Sequence, residues 1–228
     1  MGTLASNRKG FITGASASNY SAALNQTTGT ASDSQTNSQN AIQYFKSTGR
    51  GGGTYRFIRT FIHFDTSGIT GGSSFQLQLT SAGANGSPSS LSNTTAIKHT
   101  AGGSNGGELA NADFNNIDRN TAYSSATAFG SSGTVTFTLN ATAANQIINN
   151  NDFNVALLLS HDAAEEEEDM LESSGDVTNQ INFASAINLT YTDPVSGYTH
   201  KINSLAAASI GKVNTVATAS VGKVNTVD

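Results

Sequence analysis

The 228-residue chain has no cysteine, no tryptophan, two prolines and two methionines. Without cysteine there is no disulfide framework and no thiolate chemistry. Charged residues make up 12% of the sequence, about half of the usual ~25%. Their place is taken by Ser, Thr, Asn, Ala and 23 glycines. A surface of short neutral polar groups is common in extracellular β-proteins and in virus coats. Plain disorder is the competing reading of such a composition, but regular alternating segments recur from Ile42 to Tyr191. No run approaches the ~18 apolar residues of a membrane-crossing helix, so no membrane partner is expected. The N-terminal stretch MGTLASNRKGFITG also lacks an apolar core of signal-peptide length. An extracellular-like composition without an export signal fits a particle released by lysis.

Catalytic motifs are missing as well. There is no G-x-S-x-G, and neither Gly49–Gly53 nor Gly211-Lys212 completes a phosphate-binding loop. His63, His99, His161 and His200 are dispersed, with no metal-binding spacing. His63 alternates with core residues and reads as structural. The chain is therefore expected to be non-enzymatic.

Charge of one sign is concentrated rather than spread. Asp162, Glu165, Glu166, Glu167, Glu168, Asp169 and Glu172 share one segment without Lys or Arg; setting these seven acids aside turns the net charge from −5 to +2. No basic stripe remains, so nucleic acid is not an expected partner. The acidic run reads as a solvated loop, with a divalent-ion sink or a dock for Lys212 and Lys223 of a neighbouring copy as alternatives. Asp65 and Asp162 each follow a strand. If both stood at one end of the fold, loop carbonyls could complete a Ca²⁺ site. A turn-forming role for Asp65 is preferred, and no other cofactor is expected.

What is present is strand pattern. Thr54–Phe64, TYRFIRTFIHF, is the longest run dense in aromatic and β-branched residues. Apolar groups in both of its alternating rows predict a central strand, closed by the turn chemistry of Asp65-Thr66-Ser67-Gly68. Further strands are predicted at Ala41–Lys46, Phe75–Thr80, Thr94–Thr100, Gly133–Leu139, Asp152–Ser160 and Ile181–Thr192, with a short edge strand at Phe11–Thr13. Ser185 interrupts the last apolar row and marks a bend or bulge. Asn140 suits the N-cap of one short helix over Ala141–Asn149. The expected architecture is all-β, an antiparallel jelly-roll-like sandwich spanning 40–195. It follows an irregular lead-in over 1–39 and precedes a tail over 196–228.

The tail repeats every eleven residues, with KINSLAAASIG from Lys201, KVNTVATASVG from Lys212 and KVNTVD from Lys223. Its apolar residues, Ile202, Leu205, Ile210, Val213, Val216, Val221, Val224 and Val227, fall on one side of a helix. They do not share a strand parity. The Gly, Val, Thr and Asn content disfavours helix, so periodicity and propensity leave the conformation open. Either way the repeat cannot bury these residues alone. An assembly role, with sister copies or a larger particle, is the expected use, and disordered extension the alternative.

Arg59–Ile69, RTFIHFDTSGI, resembles the R-x-F-x-x-F-D-T-S-x-I signature of a β-sandwich module. That module is similar to DNRLRE and carbohydrate-binding jelly rolls of bacterial surface proteins and to virion proteins of tailed phages. The resemblance covers about residues 40–193. Phe75–Thr80, Thr136–Asn140, the short helix and the strand before His161-Asp162 stand in the same order. The tail resembles K-V-N-G-V-A repeats of phage structural proteins, with Thr215 and Thr226 where those often carry Gly. The resemblance implies a non-enzymatic structural protein of a virion, as capsid decoration or tail appendage, forming homo-oligomers and contacting other virion proteins. Its alternative is a carbohydrate-binding adhesin for host glycans, for which exposed Tyr20, Tyr123 or Tyr198 would serve as the platform.

Overall fold

A computed structural model describes residues 1–33, 40–47, 53–85, 93–102, 107–129, 132–165, 177–194, 212–213 and 216–217. The strands are β1 Gly2–Ala5, β2 Arg8–Gly14, β3 Gly29–Asp33, β4 Asn40–Ser47, β5 Thr54–Asp65, β6 Ser73–Asn85, β7 Asn93–His99, β8 Ile117–Ala122, β9 Thr127–Ala128, β10 Gly133–Thr138, β11 Asp152–Leu159 and β12 Val177–Thr192. Helices α1 Tyr20–Leu24, α2 Ala141–Asn149 and α3 Ser160–Ala164, with a 3-10 turn at Asn111–Asn115, decorate them. Every recorded pairing among these strands is antiparallel. The class is the all-β antiparallel sandwich that the alternation predicts.

β5 is the shared member of both layers. Thr60–His63 pair with β2 on one edge and with β11 on the other. Ile58 pairs with Thr13 of β2 and Gln43 of β4. A strand has two edges, so β4 and β11 occupy successive stretches of the same edge. From there the sheet divides: one arm runs β4–β12–β6–β10, the other β11–β7 and then β8 and β9. A strand that passes from one sheet to another is how sandwich corners are made. This division explains the burial of both rows of β5, with every residue from Arg59 to Phe64 buried.

β6 shows the simpler case. Phe75, Leu77, Leu79 and Ser81 are buried while the residues between them are not, the pattern of a sheet with one wet face. Phe137 and Val135 of β10 oppose Leu77 and Leu79, and Leu189 and Ile187 of β12 oppose the same pair from the other side. The β12–β6 register shifts between Phe183 and Ile187, the interval that contains Ser185.

Two expectations are corrected. The N-terminal stretch is not an irregular lead-in: β1 pairs with β12, and β2 pairs with β5 and β3. Lys9, Gly10, Ile12 and Gly14 of this strand are buried, but the short, glycine-punctuated segment hid this. Among the described residues there are also three helices rather than one; α1 and α3 are five residues each, too short to show a helical period.

α2 forms as its cap predicts. Asn140 Oδ1 accepts from the Ala143 N–H at 3.0 Å, and Asn140 Nδ2 donates to Ala122 O at 2.7 Å. Ala143 and Ile147 face inward. Replacing Asn140 with alanine is expected to cost about 1 kcal/mol, read as a lower urea midpoint at unchanged slope; an unaltered midpoint would contradict the cap.

Residues 193–228 form a separate unit. Within it, β13 Lys212–Val213 and β14 Val216–Ala217 pair antiparallel, with Val213 opposite Val216 and Lys212 opposite Ala217. The other tail positions, Ile202, Leu205, Ile210, Val221, Val224 and Val227, lie outside the described residues.

Candidate functional site

The most elaborate polar constellation centres on Arg59, a charge in the middle of the most apolar strand. Its side chain is fully buried. Nε donates to Asp162 Oδ2 at 2.7 Å and Nη2 to Asp162 Oδ1 at 2.8 Å, a two-point contact. Nη2 also donates to Leu24 O at 2.9 Å, and Nη1 donates to Phe114 O at 2.9 Å and Asn115 Oδ1 at 3.2 Å. All five guanidinium donors are thereby used. The Phe114 ring lies beneath, 4.1 Å from the guanidinium carbon to its centroid, as cation–π attraction favours.

A second arginine closes the group. Arg119 Nη2 donates to Asp162 Oδ1 and its Nε to Asp162 O, both at 2.9 Å. Arg119 Nη1 lies 3.4 Å from Glu165 Oε1. Two guanidiniums thus face two carboxylates. The backbone puts Asp162 there because α3 ends at Glu165, whose φ of +58° is left-handed. Beside the group, Tyr20 Oη donates to His161 O at 3.0 Å. The hub therefore ties β5, α1, the 3-10 turn, β8 and α3 together. Its carboxylate is occupied by cations already, so its chemistry is structural.

This geometry revises the Ca²⁺ expectation. β5 and β11 are antiparallel with Asp65 opposite Asp152, so the end of β5 meets the start of β11. Asp162, beyond the end of β11, meets Arg59 instead. Six strand residues, roughly 20 Å, separate Arg59 from Asp65, and the two aspartates are not brought together. Asp65 Oδ1 accepts from the Ser67 N–H at 3.0 Å, an Asx turn. No group of three metal-ligating side chains occurs among the described residues.

His63 and His99 are core residues. His99 is buried, its ring edge-on to Phe61 at 5.3 Å. The Ala101 N–H donates to His99 Nδ1 at 3.1 Å, so the ring proton sits on Nε2, which contacts Ile62 O at 3.0 Å. Burial lowers the His99 pKa to about 4, against the raising effect of Ile62 O. His63 is buried too, and its pKa is lowered first by burial, with Asp152 and Asp65 opposing. The cavity touching both rings, lined also by Arg8, Lys9 and Leu109, holds about 10 Å³, room for about one water molecule.

The aromatic platform is also corrected. Tyr20 and Tyr123 are buried, at 6% and 1% exposure. Tyr20 packs edge-on against Tyr44, Tyr55 and Phe57, and Tyr123 lies 5.0 Å from Phe153. Tyr20 opens α1, and Tyr123 directly follows β8. Tyr198 and the acidic residues from Glu166 to Glu172 lie outside the described residues.

The structure gives each position of the Arg59–Ile69 motif a task. Arg59 anchors the hub, Phe61 and Phe64 are core, Asp65 caps the turn, and Ile69 is buried with its N–H donating to Thr66 O at 2.8 Å. Arg119, Asn115 and Phe114 were not legible as its partners. The available signal was Arg59 itself, standing in a row otherwise made of Tyr55, Phe57, Phe61 and His63. By architecture the chain is an antiparallel β-sandwich with a buried arginine–aspartate hub. Neither the protein-family models nor the curated proteins compared with the chain match it.

Proposed function

We propose that this chain is a non-enzymatic structural protein of a tailed-phage virion. It is carried on the particle as a capsid decoration or tail appendage, and is held there by self-association and by its C-terminal repeat. The observation that carries the reading is the β13–β14 pairing. In that pair Val213 is the register partner of Val216, two of the apolar positions of the repeat. Two-residue strands cannot bury such a pair by themselves. The same Lys, apolar, Asn, Ser/Thr, apolar order begins at Lys201, Lys212 and Lys223, so the apolar pair is repeated in the sequence. A pattern multiplied in this way suits a lattice that offers repeated partners. The neutral, hydroxyl-rich composition and the sandwich resemblance agree with a particle protein.

Deleting Lys201–Asp228 tests this. Copies per purified particle should fall several-fold while the sandwich keeps its circular dichroism spectrum. Unchanged incorporation removes the anchoring role.

A further inference from the structure

β10 ends its layer. It pairs with β6 in unbroken register; among the described residues no backbone partner is recorded on the other edge of Gly133–Thr138, and just past its end the Asn140 N–H donates to Tyr123 O at 2.9 Å. The Leu139 N–H donates to Phe75 O at 3.0 Å in the continuation of that ladder. Donors alternate along a strand, so residues 133, 135 and 137 aim their N–H and C=O at β6. Thr134, Thr136 and Thr138 aim theirs outward.

Proteins usually blunt such an edge with lysine, proline, a bulge or a covering loop. Gly133–Thr138, GTVTFT, has no charge, no proline and no register shift. Thr134 and Thr138 are exposed, while Val135 and Phe137 face the core. Beside this edge runs a groove of about 450 Å³, lined by Thr136, Thr138, Leu139 and Asn140 and, opposite them, by Ser124 and Thr127.

We propose that this edge joins two copies of the chain, β10 pairing antiparallel with β10 of a second copy about a two-fold axis at Thr136. The sequence is self-complementary in that register. Thr134 of one copy opposes Thr138 of the other, and Val135 opposes Phe137 on the core side. Threonine pairs and aromatic–β-branched pairs are favoured cross-strand neighbours, and no like charges meet. The shapes agree as well. The Ser124–Thr127 wall stands beside the Leu139 end of β10, and the axis brings Gly133 of the other copy to that end. At Gly133, with φ +91°, nothing lies within 4 Å of where a Cβ would be. The pairing is isologous and closes at two. It goes beyond the particle assignment and holds whether or not the chain belongs to a virion.

The test uses the full chain in sedimentation velocity and native mass spectrometry. Wild type should be a concentration-dependent dimer. Thr134→Lys/Thr138→Lys and Thr134→Glu/Thr138→Glu each set like charges opposite one another, and each should weaken dimerisation by about tenfold or more. Both should leave the circular dichroism spectrum unchanged, because both positions are solvent-exposed. Mixing the two variants should restore a one-to-one heterodimer. Thr136→Lys provides the same like-charge contact at the axis should either double variant misfold. A wild type that is monomeric at its highest soluble concentration overturns the proposal. So does a mass unaffected by the charged variants, which assigns association to the tail or another surface, or a mixture that forms no heterodimer.

Discussion

Replacing Asp162 with asparagine should cost about 3–5 kcal/mol of folding stability. The carboxylate is 2% exposed and the Arg59 side chain fully buried. Asparagine keeps the size but removes the charge, and its amide would have to turn a donor or a neutral oxygen toward two guanidiniums. Arg59 would then be a buried cation with two carbonyls and an Asn115 oxygen for partners, too little to replace its lost hydration. Glu165→Gln is the contrasting case. That carboxylate is 55% exposed and 3.4 Å from Arg119, so its loss should cost about 0–1 kcal/mol. Urea denaturation of the two variants separates a desolvated charge from a screened one. An Asp162→Asn midpoint as close to wild type as that of Glu165→Gln would show that the hub does not hold the sandwich closed. Arg59→Met combined with Asp162→Asn should cost less than the sum of the single changes, since neither variant then leaves a buried charge without its counterion.

Acidification should cost about 3 kcal/mol through His99 alone. Unfolded, the ring titrates near its ordinary 6.5, whereas folded it titrates near about 4. The unfolded chain therefore binds more protons between those values, and stability must fall as pH drops through that window. It is fully present above about 6.5 and gone below about 4, at about 1.4 kcal/mol per tenfold change in proton affinity. The structural cause is specific. A proton added at Nδ1 would confront the Ala101 N–H, donor against donor, in a site too dry to solvate the charge. Urea midpoints measured from pH 7 to pH 4 should decline for wild type. His99→Gln should be less stable at pH 7 but show a shallower decline. Parallel profiles for the two proteins would remove His99 as the cause. His63 contributes with the same sign, since burial lowers its pKa as well.

Long strands of strict alternation could be read before folding because alternation records one buried face. β6, β10 and β12 are of this kind. β5 was readable for a different reason, the density of apolar groups in both rows. β1 and β3 were not, and of β2 only Phe11–Thr13 was, because short strands among glycines and serines carry too few residues to establish a period. The same holds for α1 and α3. Asp162 looked like one acid in an acidic run; its partners Arg59 and Arg119 come from β5 and β8, and nothing in the spacing of 59, 119 and 162 relates them. The tail is the instructive failure. Val213 and Val216 differ in parity, which argued against a strand, yet they are register partners in an antiparallel pair. Parity is informative along one strand and says nothing across a turn.

The sequence by itself determined the class of this protein: alternation with few charges and no cysteine can only be stabilised as layered β-sheet. It also set the positions of the central strand, the Asn140 cap and the Asp65 turn, since each is decided by residues within a few positions of one another. Tertiary structure alone decided that Asp162 meets Arg59 of β5, which tyrosines are buried, and which edge stays open. Those depend on strand order and register, and strand order is chosen by burying every apolar face at once rather than by any local run of residues.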